Sequence, residues 1–210
     1  MRQLLIATRN PGKVREIKDI LQDISYEIKS LDDIGYKENV EETGKSYEEN
    51  AILKAKTIGK ETNLLTIGED SGLEIDMLEG WPAIHSARHT LGTDDDKIDK
   101  ILEKLSSVPR EKRTARYKSV IALYDPVSHK VQTFDGSCEG YITEKRIGKN
   151  GFGYDPIFWS KDLGKTFGQA EDREKNRISH RARALLKLKK ILNTKVSIEN
   201  HFGGVMNSDE

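Results

Sequence analysis

The chain has 210 residues, and its 35 Lys plus Arg are balanced by 35 Asp plus Glu, so its formal net charge is zero. This length fits one domain with a substantial core, and a neutral chain has no overall attraction for nucleic acid or anionic membranes. The sequence contains no apolar run long enough to span a membrane, and its start turns polar too soon for a signal peptide. A single cysteine, Cys138, excludes an internal disulfide and a cysteine metal cluster. We therefore expect a cytoplasmic protein that binds neither nucleic acid nor membrane.

The first predicted elements are a strand and a helix joined by a short polar turn. RQLLIAT, residues 2–8, is typical of a short buried strand. Asn10 is a favoured helix N-cap, and Pro11 suits the first helical position. Apolar residues then recur at helical spacing, which predicts a helix over 11–24.

Two helices and a strand follow in the first half of the chain. A Ser-x-x-Glu pattern predicts a helix over 46–60. LLTIG, residues 64–68, predicts a buried strand that ends at the acidic pair Glu69 and Asp70. A Thr-x-x-Asp pattern predicts a third helix over 93–106.

The second half mixes extended and helical patterns. Between residues 113 and 143, apolar and polar residues alternate around a turn near Asp125, which predicts two strands. A glycine-rich loop occupies 148–156, and helical spacing of apolar residues predicts a helix over 176–192. Because helices and strands mingle along the chain, we expect one α/β unit with a mixed sheet.

The turn after the first strand, TRNPGK at residues 8–13, is a candidate phosphate site. Backbone N–H groups at a helix start, the ammonium group of Lys13 and the hydroxyl of Thr8 can together bind a phosphate. The spacing is not that of a Walker A loop, and Asn-Pro-Gly is also an ordinary turn. The segment alone leaves both interpretations open.

Acidic residues on two segments could share a divalent cation. Mg²⁺ prefers hard oxygen ligands, which Glu41 or Glu42 could supply from one segment and Asp70 from the other. A carboxylate at the end of a buried strand lies where α/β proteins bind ligands. The alternative is that these acids cap helices and face solvent, as most Asp and Glu residues do.

Two later segments could recognise a nucleobase. In GFGYDP, residues 151–156, the glycines allow close backbone approach and two aromatic rings could stack on a base, although a tight turn with core aromatics has the same pattern. Lys175, His180 and Arg181 supply hydrogen-bond donors for a base carbonyl or a phosphate. They could instead belong to the basic solvated face that continues along the helix.

Taken in order, five segments resemble the inosine/xanthosine triphosphate pyrophosphatase family, also called Ham1-like. These segments are TRNPGKVREI, EETGKSYEENAILKAK, EDSGLEID, FGYDPIF and KNRISHRARAL, and the resemblance extends to about residue 192. It implies an α/β fold with a long mixed sheet, flanking helices and two lobes around a central substrate cleft. It also implies a homodimeric, Mg²⁺-dependent hydrolase that cleaves ITP, dITP and XTP to the monophosphate and pyrophosphate, clearing them from the nucleotide pool.

The resemblance assigns expected roles to individual residues. Asp70 would be both a metal ligand and the proton acceptor, and Glu41 would be a second metal ligand, with Glu42 left open by the residues themselves. The residues implied to bind the substrate are Thr8, Arg9, Asn10, Pro11, Gly12, Lys13, Ser71, Phe152, Gly153, Tyr154, Asp155, Lys175, His180 and Arg181.

The sequence departs from the family pattern in three places. Ala182 and Arg183 follow the His180-Arg181 pair, where Gly is frequent soon after Arg in relatives. WPAIHSAR, residues 81–88, stands where relatives commonly have Pro-Gly followed by Val or Ile and Tyr-Ser-Ala-Arg, so Ala83 replaces Gly and His85 replaces Tyr. Residues 193–210 extend past the usual closing helix. We therefore divide the chain into a pyrophosphatase domain of two lobes, 1–192, and a C-terminal extension, 193–210.

Two other classes of protein stay open at this point. A non-catalytic nucleotide sensor could use the same cleft, although the carboxylates at Glu41 and Asp70 argue against it. A nucleic-acid-binding module could use the basic segment 173–190, although the neutral net charge argues against that.

Overall fold

A computed structural model describes residues 2–86 and 92–203, with side chains described up to residue 194. The described strands form one seven-stranded sheet in the order β2-β1-β3-β4-β5-β6-β7. The strands are Arg2–Ile6 (β1), Tyr26–Ser30 (β2), Leu65–Ile75 (β3), Thr114–Tyr124 (β4), Val131–Ile142 (β5), Phe158–Ser160 (β6) and Lys165–Thr166 (β7). The α-helices are Pro11–Ile20 (α1), Tyr47–Thr62 (α2), Asp94–Lys104 (α3), Asp172–Ile178 (α4) and His180–Gly203 (α5). β1 is parallel to β2 and β3, and the later pairings are antiparallel, so the predicted mixed sheet with flanking helices is confirmed.

Local sequence signals set the helix starts. Asn10 accepts a hydrogen bond from the backbone N–H of Lys13, and Ser46 caps α2 in the same way. Thr93 and Asp96 form the predicted capping box at α3. These three predicted N-caps are confirmed. In each, a side chain satisfies a backbone N–H group that the helix itself leaves unpaired.

β3 directs alternate side chains to two helical layers. Ile67 packs in an apolar cluster with residues of α1 and α5. Gly68 faces the other way, toward α2, and a Cβ there would lie 2.2 Å from the carbonyl oxygen of Ala51. Since side chains on a strand alternate between faces, Glu69 joins the α1 and α5 face whereas Asp70 joins the α2 face.

β3 is longer than the predicted strand 64–68. It continues to Ile75, so the prediction that Glu69 and Asp70 follow the end of the strand is wrong. The strand continues because β4 pairs with it as far as Ile75. Pairing with β1 ends earlier, at Ile67, so this edge of β3 faces the turn that follows β1.

The predicted limits differ most from the structure in the first and the last helix. α1 ends at Ile20, not at residue 24. The predicted helix 176–192 is divided at Ser179, whose extended backbone (φ −62°, ψ 160°) ends α4 and whose hydroxyl accepts a hydrogen bond from Ala182 N at 3.2 Å. α5 then continues to Gly203 without a break at residue 192, and the domain division at that point stays a prediction.

The described core is divided between two main apolar clusters. One joins α1, α5 and β1, with Leu4, Ile17 and Leu185 at its centre. The other joins α3 to β5 and β6, and includes Ile101 and Phe158. In the described part of the chain, no helix is long and apolar enough to cross a membrane.

Candidate active site

The turn after β1 leads into the N-terminus of α1, where an anion could bind. Asn10 N donates to Thr8 Oγ1 at 3.3 Å, and Lys13 N donates to Asn10 Oδ1 at 3.0 Å. Gly12 has no room for a Cβ, which would lie 2.5 Å from the ring of Phe152. Lys13 extends Nζ to within 2.7 Å of Glu69 Oε2. The turn therefore combines a helix N-terminus with a cation, the arrangement that binds phosphate groups.

Arg9 belongs to the same turn but points away from the cavity described below. Its guanidinium group donates to the carbonyl oxygens of Tyr36 at 2.8 Å and Glu38 at 3.0 Å. Arg9 Nε also donates to Asn39 Oδ1 at 3.1 Å. Arg9 thus holds the loop that leads to Glu41, and its predicted contact with substrate stays a prediction.

On the α2 face of the sheet, Asp70 lies beneath two residues of that helix. Asn50 Nδ2 donates to Asp70 Oδ2 at 3.1 Å, and Lys54 Nζ lies 3.4 Å from Oδ1. Lys54 also pairs with Glu42 at 2.7 Å. Burial raises the pKa of Asp70 above its usual value despite the nearby Lys54 and Lys13 charges. Lys54 is therefore shared between two carboxylates, so these three groups together carry a net negative charge.

Asn50 connects Asp70 to the loop that carries the other acidic candidates. Asn50 Oδ1 accepts a hydrogen bond from Gly44 N at 2.8 Å. In this loop Glu42 reaches Lys54, whereas the side chain of Glu41 is exposed. The structure thus places Glu42, rather than Glu41, beside Asp70.

The donor set beside Asp70 fits a magnesium ion. Among the described residues, no group of three or more His, Cys, Asp and Glu is arranged to hold a metal. Mg²⁺ is commonly bound by one or two carboxylates together with the phosphate oxygens of a substrate. Asp70 and one glutamate of the neighbouring loop supply that number of hard oxygen ligands, and their excess negative charge would be neutralised by a divalent cation.

The opposite face of the sheet carries a chain of ions with alternating charge. Its members, in order of contact, are Lys13, Glu69, Arg181, Glu16, Lys175 and Asp155. Arg181 donates to Glu69 Oε1 through Nε at 3.2 Å and through Nη2 at 3.1 Å, and Nη1 donates to Glu16. Lys175 Nζ lies 2.8 Å from Glu16 and 2.5 Å from Asp155. We call this set the ion chain, and its three cations match its three carboxylates.

The ion chain is buried, and its members shift one another's pKa values. All of its members except Lys13 are buried. Burial alone would raise the pKa of Glu69 and of Glu16, but Arg181 and the neighbouring lysines hold both pKa values below their usual range. Burial would likewise lower the pKa of Lys175, but Asp155 and Glu16 raise it. At Asp155, by contrast, burial outweighs the attraction of Lys175 and raises the pKa of the carboxyl above its usual value.

A cavity of about 120 Å³ brings the predicted segments together. It is lined by residues from the turn after β1, from β3, from the loop before β6 and from the start of α5. All the predicted substrate-binding residues line it except Thr8, Arg9, Pro11 and Gly12. Asp70 and Glu41 lie outside its lining.

The far end of the cavity combines aromatic rings with polar atoms. His180 stacks on Tyr117 with a centroid separation of 4.5 Å. Burial, followed by the charge of Arg181, holds the pKa of His180 well below its usual value, so the imidazole is neutral near pH 7. Its buried Nδ1 has no hydrogen-bond partner within the described ranges. The ring of Phe152 lies 4.7 Å from Lys175 Nζ, and an unpaired buried nitrogen beside these groups suits a polar ligand.

The loop that carries Phe152 is anchored at two points. Tyr154 Oη donates to the carbonyl oxygen of Ser86 at 2.7 Å, and Gly153 N donates to Asp94 Oδ2 at 3.0 Å. Ser86 lies in the segment that departs from the family pattern. There, Ala83 adopts φ +48°, a left-handed conformation that favours glycine. Residues 87 and 88 of this segment lie outside the described residues.

Sequence reasoning missed Glu16, Glu69, Asn50 and Lys54 as residues of the site. Glu16 lies next to Ile17 on the buried side of α1. A charged residue on the buried side of an amphipathic helix is a pattern from which the sequence could have indicated a site residue. Glu69 was recognised only as the neighbour of Asp70. For Asn50 and Lys54 the sequence holds no signal, since their role depends on how α2 lies on β3.

Other singled-out residues have ordinary structural partners. Cys138 is buried, its Sγ lies 3.5 Å from Ser160 Oγ, and burial raises the pKa of the thiol to about 11. Cations on the outer face of α5 pair with aspartates; examples are Arg183 with Asp162 at 2.9 Å and Lys187 with Asp135 at 2.8 Å. These pairs offset the positive charge that could otherwise attract nucleic acid.

Comparison with known proteins identifies the family of this chain. The sequence profile of the Ham1 family matches residues 4–191. The dITP/XTP pyrophosphatase of Bacillus subtilis strain 168 is 48% identical over 194 residues, which are 91% of this chain and 98% of that protein. The protein of the same name from Thermoanaerobacter sp. strain X514 is 43% identical over 89% of this chain and 94% of its own length.

Solved structures give the same result. A HAM1 protein from Coxiella burnetii superposes with a TM-score of 0.82 at 35% identity, covering 91% of this chain and 98% of that chain. The Ham1 protein of Staphylococcus aureus superposes with a TM-score of 0.81 at 37% identity, covering 92% of this chain and all of that chain. The predicted family is confirmed: this chain belongs to the Ham1 family.

Proposed function

We propose that the protein is a nucleoside-triphosphate pyrophosphatase that hydrolyses deaminated purine nucleotides, namely dITP, ITP and XTP, to the monophosphate and pyrophosphate. The observation that carries this proposal is the position of β3, which presents Asp70 on one face and the ion chain on the other, beside the phosphate-binding turn. Relatives at 43–48% identity are named dITP/XTP pyrophosphatase, which supports it. By this activity the protein removes deaminated nucleotides from the nucleotide pool.

The triphosphate binds at the turn between β1 and α1. The N-terminus of α1 and the ammonium group of Lys13 attract its negative charge. Glu69 holds Lys13 toward the cleft through their 2.7 Å contact. The same groups stabilise the charge that accumulates on pyrophosphate as it leaves.

The reaction is an attack of water on the α-phosphorus, which breaks the anhydride bond to the β-phosphate. Asp70 and either Glu42 or Glu41 would hold Mg²⁺, which would supply positive charge to neutralise phosphate oxygens. The carboxylate of Asp70 accepts the proton of the attacking water. Burial raises the pKa of Asp70 above its usual value, which makes its carboxylate a stronger base. Asn50 and Lys54 fix its two oxygens from above.

Selectivity arises at the six-position of the purine. Hypoxanthine and xanthine carry a carbonyl acceptor there, whereas adenine carries an amino donor. Lys175 has three N–H groups and two carboxylate partners, so one N–H remains for a ligand. Arg181 uses four of its five N–H groups on Glu69, Glu16 and Ser71. Adenine would leave these buried donors unpaired, at a cost of about 1–3 kcal/mol each.

The test is release of pyrophosphate from a panel of nucleotides with Mg²⁺. We expect ITP, dITP and XTP to be cleaved with a kcat/KM at least about 100-fold above that for ATP. The Asp70→Asn variant, purified in parallel, is the control for contaminating phosphatases. Release of orthophosphate, or equal use of all purines, would contradict the proposal. Tight binding of ITP without turnover would instead favour the nucleotide-sensor alternative.

Three properties implied by the family resemblance stay predictions: the homodimer, the Mg²⁺ requirement and the cytoplasmic location. Sedimentation analysis tests the first. Activity after treatment with a chelator and re-addition of Mg²⁺ tests the second. Cell fractionation tests the third.

A further inference from the structure

Glu16 is a buried carboxylate that lies outside the residues implied by the family resemblance. It is 3% exposed and lies one helical turn after Lys13 on α1. It contacts Lys175 at 2.8 Å and also accepts a hydrogen bond from Arg181 Nη1. Among the described carboxylates, only Glu16 contacts both of these cations.

We infer that Glu16 is a positioning residue that makes the inner end of the cavity accept a neutral base and refuse a phosphate group. This inference rests on the proposed function. Without Glu16 the ion chain would hold three cations but only two carboxylates, and this net positive charge would favour a phosphate group, since Arg and Lys bind phosphate well. The substrate itself carries such a group at its other end.

Charge balance decides which end of the nucleotide enters. With Glu16 in place the three cations of the ion chain match its three carboxylates, while Arg181 and Lys175 each keep a free N–H group. A free N–H can still donate to a base carbonyl, whereas a phosphate gains little from a neutral cluster. Lys13 lies at the mouth of the same cleft and is more exposed, so the triphosphate is directed there. Glu16 thereby selects the productive orientation of the substrate.

Glu16→Gln tests this inference because it keeps the shape of the side chain and removes its charge. The probe is inorganic tripolyphosphate, used as a competitive inhibitor of ITP cleavage at fixed free Mg²⁺. We expect it to inhibit the variant at least about tenfold more tightly than the wild-type enzyme, and the ITP-to-ATP ratio of kcat/KM to fall at least about tenfold. Neither quantity depends on the fraction of folded enzyme. A purely structural role would lower activity and leave the inhibition constant unchanged, and either quantity remaining at its wild-type value overturns the inference.

Two further variants separate charge from position. Asp19→Asn removes the same charge from an exposed position of α1 and should change neither quantity. Glu16→Asp keeps the charge with a shorter reach, so the ITP-to-ATP ratio should fall while tripolyphosphate inhibition stays at the wild-type level. If Glu16→Gln does not fold, Glu16→Asp still tests the inference, because an unchanged ITP-to-ATP ratio of kcat/KM in this variant overturns it. A wild-type enzyme that does not prefer ITP over ATP would contradict the proposed function, while tripolyphosphate inhibition would still report on Glu16.

Discussion

Glu69 and Asp70 are neighbours in sequence, yet they belong to different environments, because a strand directs successive side chains to opposite faces. Glu69 is paired with Lys13 and Arg181, which hold its pKa well below the usual value. Asp70 shares Lys54 with Glu42, and burial raises its pKa. A carboxylate with balanced partners orients cations, whereas one with too few partners is suited to bind a metal ion or a proton. The ratio of surrounding charges, rather than the residue type, distinguishes the two roles.

The comparison predicts that Asp70→Asn affects chemistry but not folding. We expect turnover to fall about 1,000-fold, since the variant loses a general base and an anionic metal ligand. The midpoint of thermal unfolding should change little, because Asn keeps the shape and Lys54 keeps Glu42. Steady-state kinetics and thermal unfolding of the same preparation measure both effects. Near wild-type turnover at saturating Mg²⁺ would remove the role given to Asp70.

The ion chain predicts the opposite pattern for Arg181→Ala. Removing this cation leaves Glu16 and Glu69 buried without their shared partner, which should lower the free energy of unfolding by about 3–5 kcal/mol. Urea unfolding at pH 7 measures this. Lys187→Ala, which breaks an exposed pair with Asp135, is the matched control and should cost about 1 kcal/mol or less.

The pH dependence of this loss has a definite sign. In the wild type the pKa values of Glu16 and Glu69 lie below the ordinary value of 4.5, so their contribution is complete above pH 4.5 and is lost as pH falls below it. In Arg181→Ala both pKa values should rise, so the carboxylates become neutral at a higher pH. The difference in stability between the two proteins should therefore shrink as pH falls from 7 toward 4. A difference that stays constant would show that lost packing, not lost charge, destabilises the variant.

The smallest expected effect is the difference between Glu42 and Glu41 as ligands of Mg²⁺. Because Glu42 reaches Lys54 beside Asp70, Glu42→Gln should raise the Mg²⁺ concentration for half-maximal activity by about tenfold. Glu41→Gln should change it less, because that side chain is exposed. Titrating both variants with Mg²⁺ compares them directly. The reverse order would support the ligand that the family resemblance implies, and would mean that the loop rearranges when substrate binds.

Local signals made most of the fold predictable. The N-caps at Asn10, Ser46 and Thr93 each involve residues within three positions, so the sequence alone identifies them. The sequence did not predict the second half of β3 or the break at Ser179, because the local pattern at each place indicates a different structure. Glycines and charged residues in 68–74 resemble a loop, and pairing with β4 decides otherwise. The apolar repeat of the sequence also continues through Ser179, although the helical backbone is interrupted there.

The candidate site was predictable only in part. The family segments indicated most residues that line the cavity, including Lys13, His180 and Arg181. The contacts of Arg181 with Glu69 and Glu16 span 112 and 165 positions in the sequence. No periodicity within a helix or strand reports on contacts at that range, so the ion chain could be found only from the packing of α1, α5 and β3.

The alternation along β3 also limits how this protein can change during evolution. Gly68 fits against the carbonyl oxygen of Ala51 and sets which residue of the strand lies under α2. Loss or gain of one residue within 65–68 would reverse the side from which Glu69 and Asp70 project. The metal-binding acid would then face Arg181, and the acid that orients Arg181 would face Lys54. Substitutions in β3 can therefore be tested by selection one at a time, but a single-codon deletion exchanges two functions at once and should be absent from active descendants.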